Sequence, residues 1–543
     1  MQMKRGTPLM AQHHRGQSGM TDRIGRVGAQ GLIVDRRELM KGAAALGLGY
    51  GLTGILGGPA LAAETPKKGG TLRIGMEGGS ASDTLDPRSF ADSIPLNYGY
   101  QIWNGLIEID NNGNAVGELL ESWEAKPGAK EWIFNVRKGV TFHSGKTLDA
   151  DDIIYSINLH RGDTKSAAKD LLSGITEIKK LSPTQIQISL NGGNLNLPYN
   201  LTDYHILGVP NGFTDFSKPD GTGAYKLETF EPGVRIVTKN TGNYWKPGCG
   251  NFDSVELQYI GDSSSRLQAL IAGQVDAINR LDPKTMDLVT SSPDVSVVQT
   301  KGTGNRYAFV ALCDTDPYSN VDLRWALKYG IDRKKIVDTV YQGYATVGND
   351  TTISPMNKYF AKDLAQTLYD PEKAAFHYKK AGSPKLEVKV SEGAYSGATD
   401  AALLYQESMK QAGIELTVTR VSADGYWSNI WLKDPFCAVY WGDRPAIDLQ
   451  LSQTYLSDAA WNDTHWKRPD FDKLVLAARV EEDEAKRREM YFEAQKMIHD
   501  DGGMICFAVS DYLDGYAKKM MGTAPHPRYD MCDQRIAEKA WFA

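Results

Sequence analysis

Residues 221–248 read GTGAYKLETFEPGVRIVTKNTGNYWKPG. Two glycines open the segment, and AYKLETF and VRIVTKN read as strands. Glu231-Pro232-Gly233 parts the two runs, and Tyr244-Trp245 close the segment. Two strand-like runs joined by a Pro-Gly turn predict an antiparallel hairpin. The segment offers no nucleophile beside a base, no metal-ligand set and no phosphate loop. What so punctuated a segment serves is not decided within it.

Upstream, TLRIGM (71–76) is a short strand, followed by the polar loop EGGSASDTLDPRSFADS. QIWNGLIEID (101–110) is a helix end running into a strand; WIFNV and VTFH are strands. DADDIIYSINLH opens a helix with Asp149 as N-cap and acids in its first turn. ITEIKKLSPTQIQISL is a second hairpin turning at Ser-Pro. Downstream, SSSRLQALIAGQVDAI is a helix with Gly273 as C-cap, leading into a short strand. From about residue 305 the order becomes strand, helices, strand, helix, strand: RYAFVALC, VDLRWALKYGIDRKKIVDTVY, DPEKAAFHYKKAG, LEVKV, ATDAALLYQESMKQAG and IELTVTRV. That is the pattern of an α/β lobe. A long helix, KRREMYFEAQKMIHDDGG, and the strands of MICFAVSDYLDGYAKK end the chain. The expected organisation is a first lobe over 64–303 with a subdomain near 100–200, a second lobe over 304–505, and a return to the first lobe over 506–543.

With 543 residues the chain exceeds one ordinary core. Its net charge of −6 conceals an asymmetry. Residues 1–63 hold eight Lys/Arg against three Asp/Glu, so the remainder stands at −11. An acidic body excludes nucleic acid as the expected partner, because phosphate binding needs a basic face. The basic excess belongs to a leader. Arg36-Arg37 precede the Gly-rich apolar run GAAALGLGYGLTGILGG, which ends at Ala60-Leu61-Ala62, a small-x-small cleavage pattern. The paired arginines resemble a twin-arginine export signal. No Cys follows the apolar run, so a lipoprotein is disfavoured. The body is expected in the periplasm. The five cysteines are scattered without CxxC, and Cys313, Cys437 and Cys506 sit in apolar runs as small hydrophobes.

Enzyme signatures are missing: no HExxH, GxSxG, Walker loop or complete GxGxxG. His143 stands alone after a strand and reads as a structural hydrogen-bonder; His205 and His465 lack partners at metal spacing. No catalytic residue, metal or cofactor is expected.

The motifs in this order resemble the extracytoplasmic solute-binding proteins of ABC importers, in the family that binds peptides and nickel complexes. GVTFHSGKTLDADDIIYSIN, the hairpin segment, SSRLQALIAGQVDAI, VDLRWALKYGIDRKKIVDTVYQG and YDPEKAAFHYKKAG carry the resemblance over nearly the whole body. It implies an α/β, two-lobed periplasmic-binding-protein (type II) clamp with an extra subdomain in the first lobe. It also implies a ligand buried between the lobes, and a permease and ATPase at the inner membrane as partners. A monomer is expected. An exported hydrolase, or a signalling receptor of the same fold, is the alternative.

The resemblance also points to a site. In FCAVYWGDRPAIDLQ, Asp443 follows a Trp-ended strand, where peptide-binding relatives hold the ligand's amino group with an acid. Otherwise Asp443 organises the turn before Arg444-Pro445, and Asp448 is the fallback carboxylate. After LEVKV, where some dipeptide binders carry an Arg, this chain reads SEGAYSG, with Glu392. The carboxylate clamp is then lost, which favours a cationic or amine-bearing solute, or a longer peptide, over ordinary dipeptides. Arg444 is either a cation for the ligand or a solvated charge. Trp441 and Tyr395 are expected as pocket walls, with Trp427 nearby. Ser80 and Ser82 are the candidates from the first-lobe loop 78–86.

Overall fold

The computed structural model describes residues 65–444 and 446–543. The export leader expected over 1–63 lies outside the described residues. The hairpin forms as its turn dictates: Tyr225–Glu231 pairs antiparallel with Arg235–Asn240. Arg235–Asn240 pairs in turn with Ser254–Tyr259, which runs parallel to Thr71–Met76. Ala277–Ile278, Tyr512–Ala517 and Val295–Thr300 complete a seven-stranded sheet.

The glycines of the segment are placed by close approach. A Cβ on Gly221 or Gly223 would run into the carbonyl oxygens of Ile102 and Gln101, at the end of the buried helix Ser93–Ile102. Gly233 has φ +70°, and a Cβ there would lie 2.8 Å from the backbone nitrogen of Ala81. The hairpin turn therefore rests on the 78–86 loop. At the other end Trp245 donates its Nε1–H to Asn104 (3.1 Å), and Lys246 enters a knot of buried charge. Its Nζ lies 2.9 Å from Glu108, 2.8 Å from Glu118 and 2.8 Å from Glu538. Arg535 pairs with Glu118 and Glu538, and Lys539 with Glu108. The segment with no chemistry thus joins sheet, subdomain and C-terminal tail.

The subdomain is a four-stranded antiparallel sheet in the order Leu120–Ala125, Glu131–Val136, Gln185–Leu190, Ile175–Ser182. It has its own core, which includes Phe134, Ile153, Ile186 and Leu201. The helix Ala150–Asn158 starts on a capping box between Asp149 and Asp152. VTFH, expected as a strand, is instead a tight loop. The Phe142 and His143 amides donate to Lys146 and Gly221, and His143 Nε2 lies 3.0 Å from the Gly223 carbonyl. Those amides are thereby used locally and across to the hairpin, so no ladder forms.

A second, six-stranded sheet runs Ala345–Val347, Met504–Ser510, Arg306–Ala311, Phe436–Trp441, Leu386–Val390, Leu416–Arg420. Its last three strands are parallel, and helices Val321–Gly330, Arg333–Val340 and Ala398–Gln411 pack on one face. The long helix Glu484–Asp501 lies on the other. The chain passes from the first sheet to the second after Thr300. Its return, expected at residue 506, comes after Ser510, because Met504–Ser510 is still paired with Arg306–Ala311. Asp511 clasps the two crossings, accepting from Gln299 Nε2 (2.6 Å) and the Gly302 amide (2.8 Å). No helix among the described residues is long and apolar enough to cross a membrane. All five cysteines are free thiols.

Candidate ligand-binding site

Parallel strands present their carboxyl ends to ligands. The three of the second lobe end at Val390, Arg420 and Trp441, just ahead of most of the expected site residues. The third end is the informative one. Asp443 and Arg444 line a cavity of about 540 Å³. One wall continues through Ser452, Gln453 and Trp461; the facing wall comes from Asp170, Asp203, Tyr204 and Tyr529.

Asp443 is paired with Arg306 at 3.3 Å, and Arg306 is fully buried. Burial pushes the Asp443 carboxyl above its ordinary value, while Arg306, Arg444 and Arg528 pull the other way. Arg444 donates from Nε to Gln453 Oε1 (2.6 Å) and from Nη1 to the Asp443 carbonyl (3.2 Å). Its guanidinium lies 6.0 Å from the Trp441 ring centroid and 5.9 Å from that of Trp461. Arg444 is therefore held in place and is not a loose surface charge. Trp441 is buried behind it, and Trp441 and Trp431 both donate their indole N–H to Asp463 Oδ2, at 2.9 and 3.1 Å. Burial outweighs those two bonds and pushes Asp463 up to about 7. Across the cavity Asp203 pairs with His205 at 2.6 Å; burial opposes its charge, but the His205 ring and amide outweigh it and hold the carboxyl below its ordinary value.

The remaining candidates lie elsewhere. Glu392 accepts from the Gly397 and Thr399 amides (2.8 and 3.0 Å) and so caps the helix Ala398–Gln411 instead of facing the cavity. Tyr395 is buried in a stack with Tyr307 at 4.6 Å. Trp427 is half-exposed against Trp431 and Tyr440, away from the cavity lining. Ser80 and Ser82 bond to each other (2.9 Å) beside the hairpin turn. Asp448, the fallback, is paired with Arg479 at 3.0 Å. Asp170, Tyr204, Tyr529, Trp461 and Arg306 are additions from the structure. Trp461 belongs to WNDTHWK, conspicuous for its two tryptophans, but nothing local ties that stretch to a cavity. Among the described residues the one carboxylate cluster of metal-binding geometry is Glu108, Glu118 and Glu538, and the Lys246 ammonium is bonded to all three. A metal there would have to displace it.

Residues 114–463 match the description "Bacterial extracellular solute-binding proteins, family 5 Middle". The chain belongs to this family. Among the curated family 5 relatives, the glutathione-binding protein GsiB of Shigella flexneri is 23% identical over 467 residues, covering 82% of this chain and 90% of that protein. Among solved structures, HbpA2 of Haemophilus parasuis superposes with a TM-score of 0.77 at 19% identity, over 87% of this chain and 100% of its own. The periplasmic DppA of Helicobacter pylori, in complex with the peptide STSA, gives 0.71 at 19% identity, over 88% and 98%. These likenesses establish the two-lobed α/β fold of family 5 for this chain. The family is one of bacterial extracellular solute-binding proteins, and GsiB and DppA are named for binding.

Proposed function

We propose that this family 5 chain is the substrate-binding component of an ABC importer. It is exported to the periplasm by its Arg36-Arg37 leader, acts as a monomer, and hands its solute to a membrane permease driven by an ATPase. The solute is small, polar and amine-bearing, a peptide or peptide-like molecule. Glutathione and the peptide STSA, named for two relatives, belong to that class.

One observation carries the reading: Asp443, at the end of a parallel strand, opens onto a cavity whose other wall belongs to the facing lobe. A ligand ammonium out of water needs a carboxylate. Asp443 has one oxygen 3.3 Å from Arg306 and further lone pairs to accept from a ligand. Contacts to both walls give a ligand higher affinity for the closed arrangement, which is what draws a hinged clamp shut.

The test is a thermal-shift screen on protein refolded to remove bound solute. The panel holds di- to pentapeptides, polyamines, opines, metal chelates and oligosaccharides. A ligand at one hundred times its Kd adds about 2.7 kcal/mol of stability. An amine-bearing hit is expected, and Asp443→Asn should abolish it, because Arg306 is then left unpaired and repels the ammonium. Hits confined to oligosaccharides or metal chelates would refute the amine reading. Turnover of a hit would move the protein to the hydrolases.

A further inference from the structure

The lobes also meet away from the solute cavity. Two turns of the first-lobe subdomain reach the second lobe. One is KPGAK (126–130), after the strand Leu120–Ala125; the other is NGGNLN (191–196), after Gln185–Leu190. Against them lies the short connection Arg479–Asp483, between the second-lobe helices Pro469–Ala478 and Glu484–Asp501. The Gly128 amide donates to Glu482 Oε1 at 3.0 Å, and the Leu195 amide donates to the Arg479 carbonyl at 2.9 Å. Among the described residues, neither amide has an acceptor within its own lobe. Gly193 permits the approach: a Cβ there would run into the Gly128 carbonyl and lie 2.7 Å from Val480 Cγ1. Beside this seam, Lys358 of the second lobe sits 5.2 Å over the Tyr199 ring of the subdomain. The seam is braced from behind. Arg479 is paired with the buried Asp448 at 3.0 Å and donates from Nη2 to Ser452 Oγ at 2.9 Å. Ser452 lines the 540 Å³ cavity, so one bonded chain runs from the seam to the cavity wall.

We infer that this seam is a latch: the subdomain fastens the second lobe through bonds that involve no solute, and the ligand-free clamp is already mostly shut. The inference rests on the hinged clamp and not on which solute the cavity takes. When the lobes part, the Gly128 and Leu195 amides pass to water, so both bonds belong to the closed arrangement alone. An interaction made in one of two states shifts the population toward that state by its own differential worth. Opening must break both bonds, so the latch slows the release of every solute alike.

Hydrogen exchange read at single amides, on protein refolded to remove solute, tests this, because these two amides are protected only while the seam is shut. Val480→Trp wedges the seam, since a large ring does not fit against Gly193. Both amides should exchange about tenfold faster in that variant than in the wild type, the low end for two hydrogen bonds of which one takes a carboxylate. Glu482→Ala is the sharper probe. It removes the acceptor of Gly128 and leaves that of Leu195 in place. Leu195 should nevertheless exchange about threefold faster or more, because the two bonds open together. Amides of Glu131–Val136 and Gln185–Leu190 should keep their rates in both variants, which shows that the subdomain is folded. In small-angle X-ray scattering the radius of gyration of the ligand-free protein should rise in Val480→Trp. Equal Leu195 exchange in the wild type and Val480→Trp overturns the latch, as does a Leu195 rate unmoved by Glu482→Ala. No solute enters this test, so its failure is distinct from failure of the amine screen.

Discussion

Replacing Lys246 with Met tests how the hairpin segment is anchored. The knot around Lys246 balances three carboxylates, Glu108, Glu118 and Glu538, against Lys246, Arg535 and Lys539. Glu118 is fully buried, Glu538 nearly so, and the Lys246 side chain is 14% exposed. Lys246→Met keeps the volume and removes one positive charge, leaving an uncompensated anion with little access to water. Removing one partner of a buried pair costs about 3–5 kcal/mol. Urea unfolding followed by circular dichroism should show that loss at pH 8. The pH dependence separates this cause from simple packing. In the native protein burial opposes the charge on Glu108, but Arg535, Lys246 and Lys539 outweigh it and hold the carboxyl well below the usual range; Glu538 is shifted the same way. Depressed carboxyls add stability above their unfolded value near 4.3 and lose it as pH falls through the folded value. Without Lys246 a carboxylate of the knot takes up a proton in the folded state, so the penalty should shrink between pH 8 and pH 5. Adding Glu538→Gln to Lys246→Met should recover part of the loss at pH 8. A loss below about 1 kcal/mol, or one independent of pH, would refute the electrostatic account.

Two further outcomes follow from other parts of the molecule. Gly233→Ala should destabilise by about 1–3 kcal/mol, since φ +70° and the 2.8 Å approach to Ala81 both oppose a side chain; thermal unfolding reads this directly. Asp463, raised to about 7 by burial, binds its proton in the folded state at pH values where the unfolded chain has lost it. Its contribution therefore falls as pH rises from about 4 to about 7, and Asp463→Asn should flatten that slope in a stability-versus-pH series.

The secondary structure was legible where punctuation and periodicity agree. The Pro-Gly turn fixed one hairpin, Ser-Pro the other, and Asp149 the start of its helix, because each of those choices is settled within a few residues. VTFH misled because its alternation is real, yet His143 reaches 80 residues along the chain to Gly223. Asp443 was singled out as a candidate by a strand end and a family likeness, and it lines the cavity. Asp170 and Trp461 were not singled out, because they come together only as lining of the same cavity, and no local pattern encodes that. Glu392 shows the converse error. A carboxylate in a Gly- and Ser-rich loop resembles a free ligand group, but here it satisfies the first amides of the helix that follows. Arg444 gained meaning only once Gln453, Trp441 and Trp461 were seen around it.

The double crossing at Thr300 and Asp511 also sets an order of assembly. The strand Tyr512–Ala517 lies between Val295–Thr300 and Ala277–Ile278, inside the first sheet rather than at its edge. A ribosome delivers its two neighbours long before it, so the nascent first sheet waits with a gap in its interior. The second sheet draws all its strands from the intervening stretch and is free to close first. Its closure carries the end of Met504–Ser510 back beside Gly304 and Asn305, where backbone bonds join the two crossings. That shortens the effective loop the missing strand must span and lowers the entropic cost of inserting it. In this molecule the inserted lobe acts as the splint on which the first is finished.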